Sequence, residues 1–91
     1  MTELSRNVIV INELGLHARS AARIAEIARK ANYNVWVIKD KKKVDASSIL
    51  DILTLESPKG SKITLKIDDR SDIDILNDIV KQFETGFGEL S

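Results

Sequence analysis

The chain has 91 residues, of which 43% are hydrophobic and 31% charged, and its 14 basic residues balance its 14 acidic ones. This length suits a single domain over residues 1–91, and the balanced charge argues against a nucleic-acid partner. Because cysteine is absent and histidine occurs once, we expect no metal site. No apolar run approaches the roughly 20 residues that a membrane span needs, and no signal peptide is evident, so we expect a cytoplasmic protein.

The spacing of the hydrophobic residues predicts strands and helices in the order βαββαβα. The predicted elements are a strand at 7–12, a helix at 18–30, strands at 35–38 and 43–46, a short helix at 49–53 with Ser47 or Ser48 as N-cap, a strand at 63–67 and a helix at 73–85. Polar and apolar residues alternate in the strands. We therefore expect an α+β fold in which helices cover one face of a sheet.

The same alternation leaves large apolar side chains on the other face of the sheet. If the valines of the first two strands face the helices, their neighbours face away: Ile9, Ile11, Trp36 and Ile38. One interpretation is that this face self-associates, or that the tail residues Phe87 and Leu90 cover it. The other is that Thr64 and Lys66 divide it into small patches. The chain is accordingly expected to be a monomer or a weak homodimer.

The only histidine, His17, lies where the first strand gives way to the first helix. Gly15 permits the turn, and a helix that begins near Ala18 directs unpaired N–H groups and the positive end of its dipole toward His17. With Arg19 nearby, we expect the imidazole to be neutral near pH 7 and available as a nucleophile. The N–H groups and Arg19 could then hold a phosphoryl group. The alternative is that His17 is an ordinary turn residue and Arg19 a solvated charge.

Three segments resemble the HPr family, the histidine-containing phosphocarrier proteins of the bacterial phosphoenolpyruvate:sugar phosphotransferase system. The run Gly15-Leu16-His17-Ala18-Arg19, followed by Ala21-Ala22, is similar to the family's active-site motif. Residues 44–50 resemble its regulatory-serine segment, and residues 59–65 resemble its fourth strand. The resemblance extends along nearly the whole chain. It implies an open-faced β-sandwich, in which three helices lie on one face of a four-stranded antiparallel sheet.

The resemblance also implies roles for residues near His17. His17 would carry a phosphoryl group on Nδ1, accepted from phosphorylated enzyme I and passed to sugar-specific IIA components. Arg19 would stabilise that group, and the backbone amides of Ala18, Arg19 and Ser20 would complete the anion site. A protein of this kind is a phosphocarrier rather than an enzyme, and we expect it to need no cofactor.

A second set of implied roles concerns the short helix. Ser48 aligns with the serine that a dedicated kinase phosphorylates in some bacteria, so a serine kinase/phosphorylase is a further expected partner. Leu50 aligns with an apolar residue of the partner-binding face. Leu16 and Leu53 are expected to border that contact.

Two residues depart from the family pattern. Ser20 replaces a proline that pre-sets the first helical turn, which costs about 0.4–1 kcal/mol of pre-organisation, although a serine can cap a helix. Glu56 replaces a glycine that often follows the short helix. Two other functions stay open at this point: an HPr-like regulatory protein acting mainly through Ser48, and an unrelated ligand-binding module such as an ACT-like domain.

Overall fold

The computed structural model describes residues 4–89, and its elements follow the predicted order βαββαβα. Their bounds are β1 Ser5–Ile9, α1 Ala18–Ala28, β2 Val35–Lys39, β3 Lys42–Asp45, α2 Ile49–Leu53, β4 Lys62–Ile67 and α3 Ile73–Glu84. Short 3-10 turns at Arg70–Asp72 and Gly86–Gly88 precede and follow α3. The short helix has its predicted bounds, whereas α1 ends at Ala28 rather than at residue 30.

The four strands pair antiparallel in the order β1-β4-β2-β3. In β4 the alternation is complete, since Ile63, Leu65 and Ile67 are buried while Lys62 and Lys66 are exposed. Helix α3 packs against β1 and β4, and α1 packs against both other helices. The predicted open-faced β-sandwich of the α+β class is therefore confirmed.

The hydrophobic core lies between the sheet and the helices. Every layer contributes fully buried side chains, among them Val37, Leu65, Ile24, Ile52 and Phe83. Because these side chains are fully buried, replacing Leu65, Ile24 or Ile52 with alanine should lower the free energy of unfolding by about 2–5 kcal/mol. Within residues 4–89, no helix is long and apolar enough to cross a membrane.

Strand β1 lies earlier than predicted, at Ser5–Ile9 rather than at residues 7–12. Its ladder continues through Val10, whose N–H donates to the Ser61 carbonyl, but the chain then leaves the sheet and turns. The strand begins among polar residues because β1 is an edge strand with solvent beside it. A β-branched run marks the apolar part of such a strand and misses its polar start. Strand β3 is likewise shifted, to Lys42–Asp45 from residues 43–46.

Phe87 does not cover the open face of the sheet, so that part of the prediction is wrong. The chain reverses after α3 at Gly86, where φ is +61°, and Phe87 is completely buried. Its ring packs edge-to-face on Phe83, with ring centres 4.9 Å apart. Phe87 therefore belongs to the core on the helix side, and Leu90 lies outside the described residues.

The open face carries the apolar side chains that the alternation predicted. Ile9 is 52% exposed and Ile11 is 36% exposed, and both lie at the β1 edge. Trp36 and Ile38, on the central strand β2, are half-buried. The most exposed apolar area is therefore narrow and lies at one side of the sheet.

Polar side chains surround Trp36 on the open face. The ammonium of Lys43 lies 4.4 Å from the centre of the Trp36 ring, and the indole N–H donates to Asp68 at 3.0 Å. In the register of β2 and β4, Lys66 is opposite Trp36 and Thr64 is opposite Ile38. The structure therefore favours the interpretation that this face is divided into small patches.

From this division we expect a monomer with a solvent-contacting Trp36. Sedimentation velocity and Trp36 fluorescence should both stay constant as the protein concentration rises. A sedimentation coefficient that grows with concentration, together with a blue shift of Trp36 emission, would show self-association through this face instead. Lys43→Ala is an informative second variant, since it removes the cation above the indole without touching the core.

Candidate functional site

The loop before α1 is fixed by a very close backbone approach at Gly15. Its φ is +67°, and a Cβ at this position would lie 2.5 Å from the Ser57 carbonyl oxygen and 2.8 Å from the Pro58 Cα. The next residue, Leu16, donates its N–H to the same Ser57 carbonyl at 2.9 Å. Only glycine fits this position without displacing backbone, so Gly15 sets where the following residue lies.

His17, which follows Leu16, is the N-cap of α1. Its backbone is extended, with φ −113° and ψ −175°, and its Nδ1 accepts the Arg19 backbone N–H at 3.4 Å. The helix therefore begins at Ala18, as predicted. The imidazole thus lies at the start of the helix beside the first-turn amides, where the dipole favours an anion.

Ser20 takes over the role of a capping residue. Its buried hydroxyl accepts the His17 backbone N–H at 3.0 Å, which forms the reciprocal part of a capping box. The hydroxyl proton can go to the carbonyl of Gly15 at 3.2 Å or of His17 at 3.1 Å. A proline could make none of these bonds. The expectation that Ser20 caps the helix is confirmed. The loop before α1 is therefore held by Ser57 and Pro58 at Gly15 and by the Ser20 hydroxyl at its end.

The structure adds two residues that the sequence did not reveal, Glu89 and Asn12. His17 Nε2 lies 2.8 Å and 3.0 Å from the two carboxylate oxygens of Glu89, across 72 residues of chain. The Asn12 amide donates to Glu89 Oε1 at 2.9 Å and to the Gly15 carbonyl at 2.9 Å. Asn12 is completely buried. The only hint in the sequence is Gly86-Phe87-Gly88, whose glycines permit the reversal that returns the chain to the site.

Glu89 is a carboxylate at neutral pH. Burial of its side chain raises its pKa, but the hydrogen bonds from Asn12 and His17 and the positive charge of Arg19 act in the opposite direction. The resulting pKa lies below the ordinary glutamate value. A negative charge therefore faces the imidazole on the side opposite to the helix amides.

The His17–Glu89 contact differs from the other ion pair in residues 4–89, which joins Lys59 to Glu13. The side chains of His17 and Glu89 are 28% and 9% exposed, against 53% and 68% for Lys59 and Glu13. Solvent screens the second pair and makes it weak.

Within residues 4–89, no group of three or more acidic or histidine side chains is placed to hold a metal ion.

The remaining residues predicted near His17 differ in their exposure to solvent. Arg19 and Ala18 are exposed on the first turn of α1, and Arg19 is close enough to lower the pKa of Glu89. Leu16 is buried, with 7% of its surface exposed, and belongs to the core beneath the site. An exposed apolar side chain that the sequence analysis overlooked is Leu14, which is 69% exposed.

Helix α2 packs against α1 and carries the second predicted group. Ser48 is its N-cap, and the serine hydroxyl accepts the Asp51 N–H at 3.2 Å. Leu50 is 75% exposed, the most exposed large apolar side chain of residues 4–89, whereas Leu53 is half-buried. Glu56, at the exit of α2, has φ +49°, a left-handed conformation that explains why a glycine suits this position.

Comparison with known proteins gives consistent matches over most of the chain. Residues 4–85 match the family described as the PTS HPr component phosphorylation site. Phosphocarrier protein NPr of Shewanella violacea is 42% identical over 65 residues, 71% of each chain. Phosphocarrier protein HPr of Neisseria meningitidis is 30% identical over 94% of this chain and 97% of its own length. The crystal structure of HPr-C-His from Thermoanaerobacter tengcongensis superposes with a TM-score of 0.89 at 33% identity, covering 100% of both chains.

Substituting Gly15 tests how the loop is held. Gly15→Ala should lower the free energy of unfolding by about 3 kcal/mol, because the left-handed backbone is strained and the added Cβ collides with backbone atoms. Gly60→Ala is the matched control, since Gly60 also has positive φ but has nothing within 4 Å of the added Cβ. It should cost only about 1 kcal/mol. Equal losses in urea denaturation would contradict the close approach at Gly15.

Proposed function

The chain belongs to the HPr family of the phosphotransferase system, and on that premise we propose that it carries a phosphoryl group on His17. The donor would be phosphorylated enzyme I, and the acceptors would be sugar-specific IIA components. A phosphocarrier of this kind is a substrate of other proteins rather than an enzyme in its own right. We place this transfer in the cytoplasm.

The observation that carries the proposal is the orientation of the His17 ring. Nδ1 faces the first turn of α1, where it accepts the Arg19 N–H, while Nε2 faces Glu89. With 28% of its surface exposed, the side chain can be reached by a partner protein. An unprotonated ring nitrogen at a helix N-terminus is a nucleophile with an anion site beside it.

In the proposed step, the Nδ1 lone pair attacks the phosphorus atom of the donor. The Nδ1–P bond forms, the bond from phosphorus to the donor breaks, and its electron pair returns to the donor. The Arg19 N–H that Nδ1 accepted is then free to donate to a phosphoryl oxygen, and the Arg19 guanidinium can add charge-assisted hydrogen bonds. Transfer to a IIA component reverses these bonds with a different partner.

The surroundings of His17 suit a partner with an acidic and partly apolar surface. Arg19 and Arg23 are exposed on α1, and Arg29 is exposed at its C-cap. Leu14 and Leu50 add exposed apolar area, on the loop before α1 and on the neighbouring helix α2. Such a mixture steers an acidic partner and provides apolar burial on contact.

A second function is favoured by the position of Ser48. As the N-cap of α2 it lies next but one to the exposed Leu50, so a phosphate there would add about two negative charges beside the apolar contact. A serine kinase/phosphorylase could then switch docking on and off without changing the fold. We propose this as regulation of the carrier, with a purely regulatory protein as the alternative.

Replacing His17 tests the carrier function. His17→Ala and His17→Asn should both abolish acid-labile label from phosphoenolpyruvate and enzyme I, because neither side chain can form a phosphohistidine. The asparagine variant is the stricter test, since asparagine still caps a helix and should keep the loop in place. Circular dichroism of both variants serves as the folding control. Acid-labile label in either folded variant would exclude His17 as the carrier.

Adding a charge at Ser48 tests the regulatory step. Ser48→Asp should slow phosphorylation of His17 by roughly tenfold, because an acidic group beside Leu50 repels an acidic partner surface. Ser47→Asp adds the same charge one residue earlier and should have a smaller effect. Initial rates of labelling at limiting enzyme I would measure the difference. If Ser48→Asp is labelled at the rate of the unsubstituted chain, Ser48 does not control docking.

A further inference from the structure

The carboxylate of Glu89 is hydrogen-bonded to Asn12 as well as to the imidazole of His17. Asn12 is completely buried, and its amide group bridges the Gly15 carbonyl and Glu89 Oε1, both at 2.9 Å. Glu89 in turn brings Oε2 to 2.8 Å from His17 Nε2. The three side chains form one continuous hydrogen-bonded series that joins the loop before α1 to the residue after the Gly86–Gly88 turn.

The hydrogen bonds of the His17 ring determine which of its nitrogens carries the proton. An ionised carboxylate only accepts hydrogen bonds, so a bond to Glu89 requires a proton on Nε2. The backbone N–H of Arg19 only donates, so its bond to Nδ1 requires a lone pair there. Both neighbours of the ring therefore select the same neutral tautomer, in which Nδ1 is the nucleophile.

We propose that Glu89 is a positioning residue that holds His17 as the Nε2–H tautomer, directs the phosphoryl group to Nδ1 and stabilises the phosphorylated ring. The proposal rests on the phosphocarrier function proposed above. Asn12 supports it by fixing Glu89 from the opposite side. Neither residue touches the phosphoryl group itself.

The charge on the ring explains the stabilisation. When the Nδ1–P bond forms and the bond to the donor breaks, the proton on Nε2 stays where it is. The ring changes from neutral to cationic, so its hydrogen bond to Glu89 becomes an ion pair at 2.8 Å, only 9% exposed on the carboxylate side. Hydrogen bonds of this charge-assisted kind are about twice as strong as neutral ones. Glu89 therefore favours the phosphorylated form over the free form.

Two substitutions separate the tautomer from the charge. Glu89→Ala removes the acceptor of the Nε2 proton and leaves only the 3.4 Å bond from the Arg19 N–H to select this tautomer, so the Nδ1–H tautomer should gain population. Glu89→Gln keeps an oxygen that can accept the Nε2 proton but loses the negative charge. It should preserve the tautomer and shorten the lifetime of the phosphohistidine by at least roughly tenfold. Glu84→Ala, at the exposed end of α3, is the matched control and should change neither property.

The tautomer is read from the ¹⁵N chemical shifts of the His17 ring in the unphosphorylated protein. We expect a protonated Nε2 and a lone pair on Nδ1 in the unsubstituted chain, and in Glu89→Ala shifts that move toward the average of the two tautomers. A protonated Nδ1 in the unsubstituted chain, or unchanged shifts in a folded Glu89→Ala, would overturn the proposal. Because this measurement needs no phosphoryl transfer, it tests the role of Glu89 in selecting the tautomer separately from the phosphocarrier function.

Discussion

The close approach of Gly15 to the backbone of Ser57 and Pro58 is the constraint on which the site depends. The loop before α1 packs directly against the loop before β4 at this point, and no side chain fits at residue 15. His17 follows two residues later as the N-cap, so its ring is aimed by the same contact. The backbone therefore fixes where the imidazole is attached, and the contact with Glu89 then holds the ring.

The two nitrogens of the His17 ring lie in different electrostatic environments. On one side are the first-turn amides of α1 and Arg19, which favour an incoming anion. On the other is the shielded carboxylate of Glu89, whose pKa is lowered by its hydrogen bonds with Asn12 and His17 and by the positive charge of Arg19. A ring placed between a positive and a negative neighbour is polarised before any partner arrives. This preparation suits the proposed transfer, in which His17 accepts and releases the same phosphoryl group.

The parts of the site that depend on local structure can be predicted from the sequence. The turn at Gly15 and the start of α1 follow from a few neighbouring residues and are confirmed, and of the two serines predicted as N-cap of α2 the structure selects Ser48. Glu89 could not be found in this way, because its contact with His17 joins residues 72 positions apart. Phe87 was misjudged for a related reason, since the left-handed reversal at Gly86 redirects the chain into the core.

The measurement that tests this account most directly is the location of the phosphoryl group in the intact, unsubstituted chain. After incubation with phosphoenolpyruvate and enzyme I, ³¹P–¹⁵N correlation of ring-labelled protein at alkaline pH would identify the bonded atom. The account predicts a single phosphohistidine, with phosphorus bonded to Nδ1 of His17. Phosphorus bonded to Nε2, or no bond to either ring nitrogen, would contradict it.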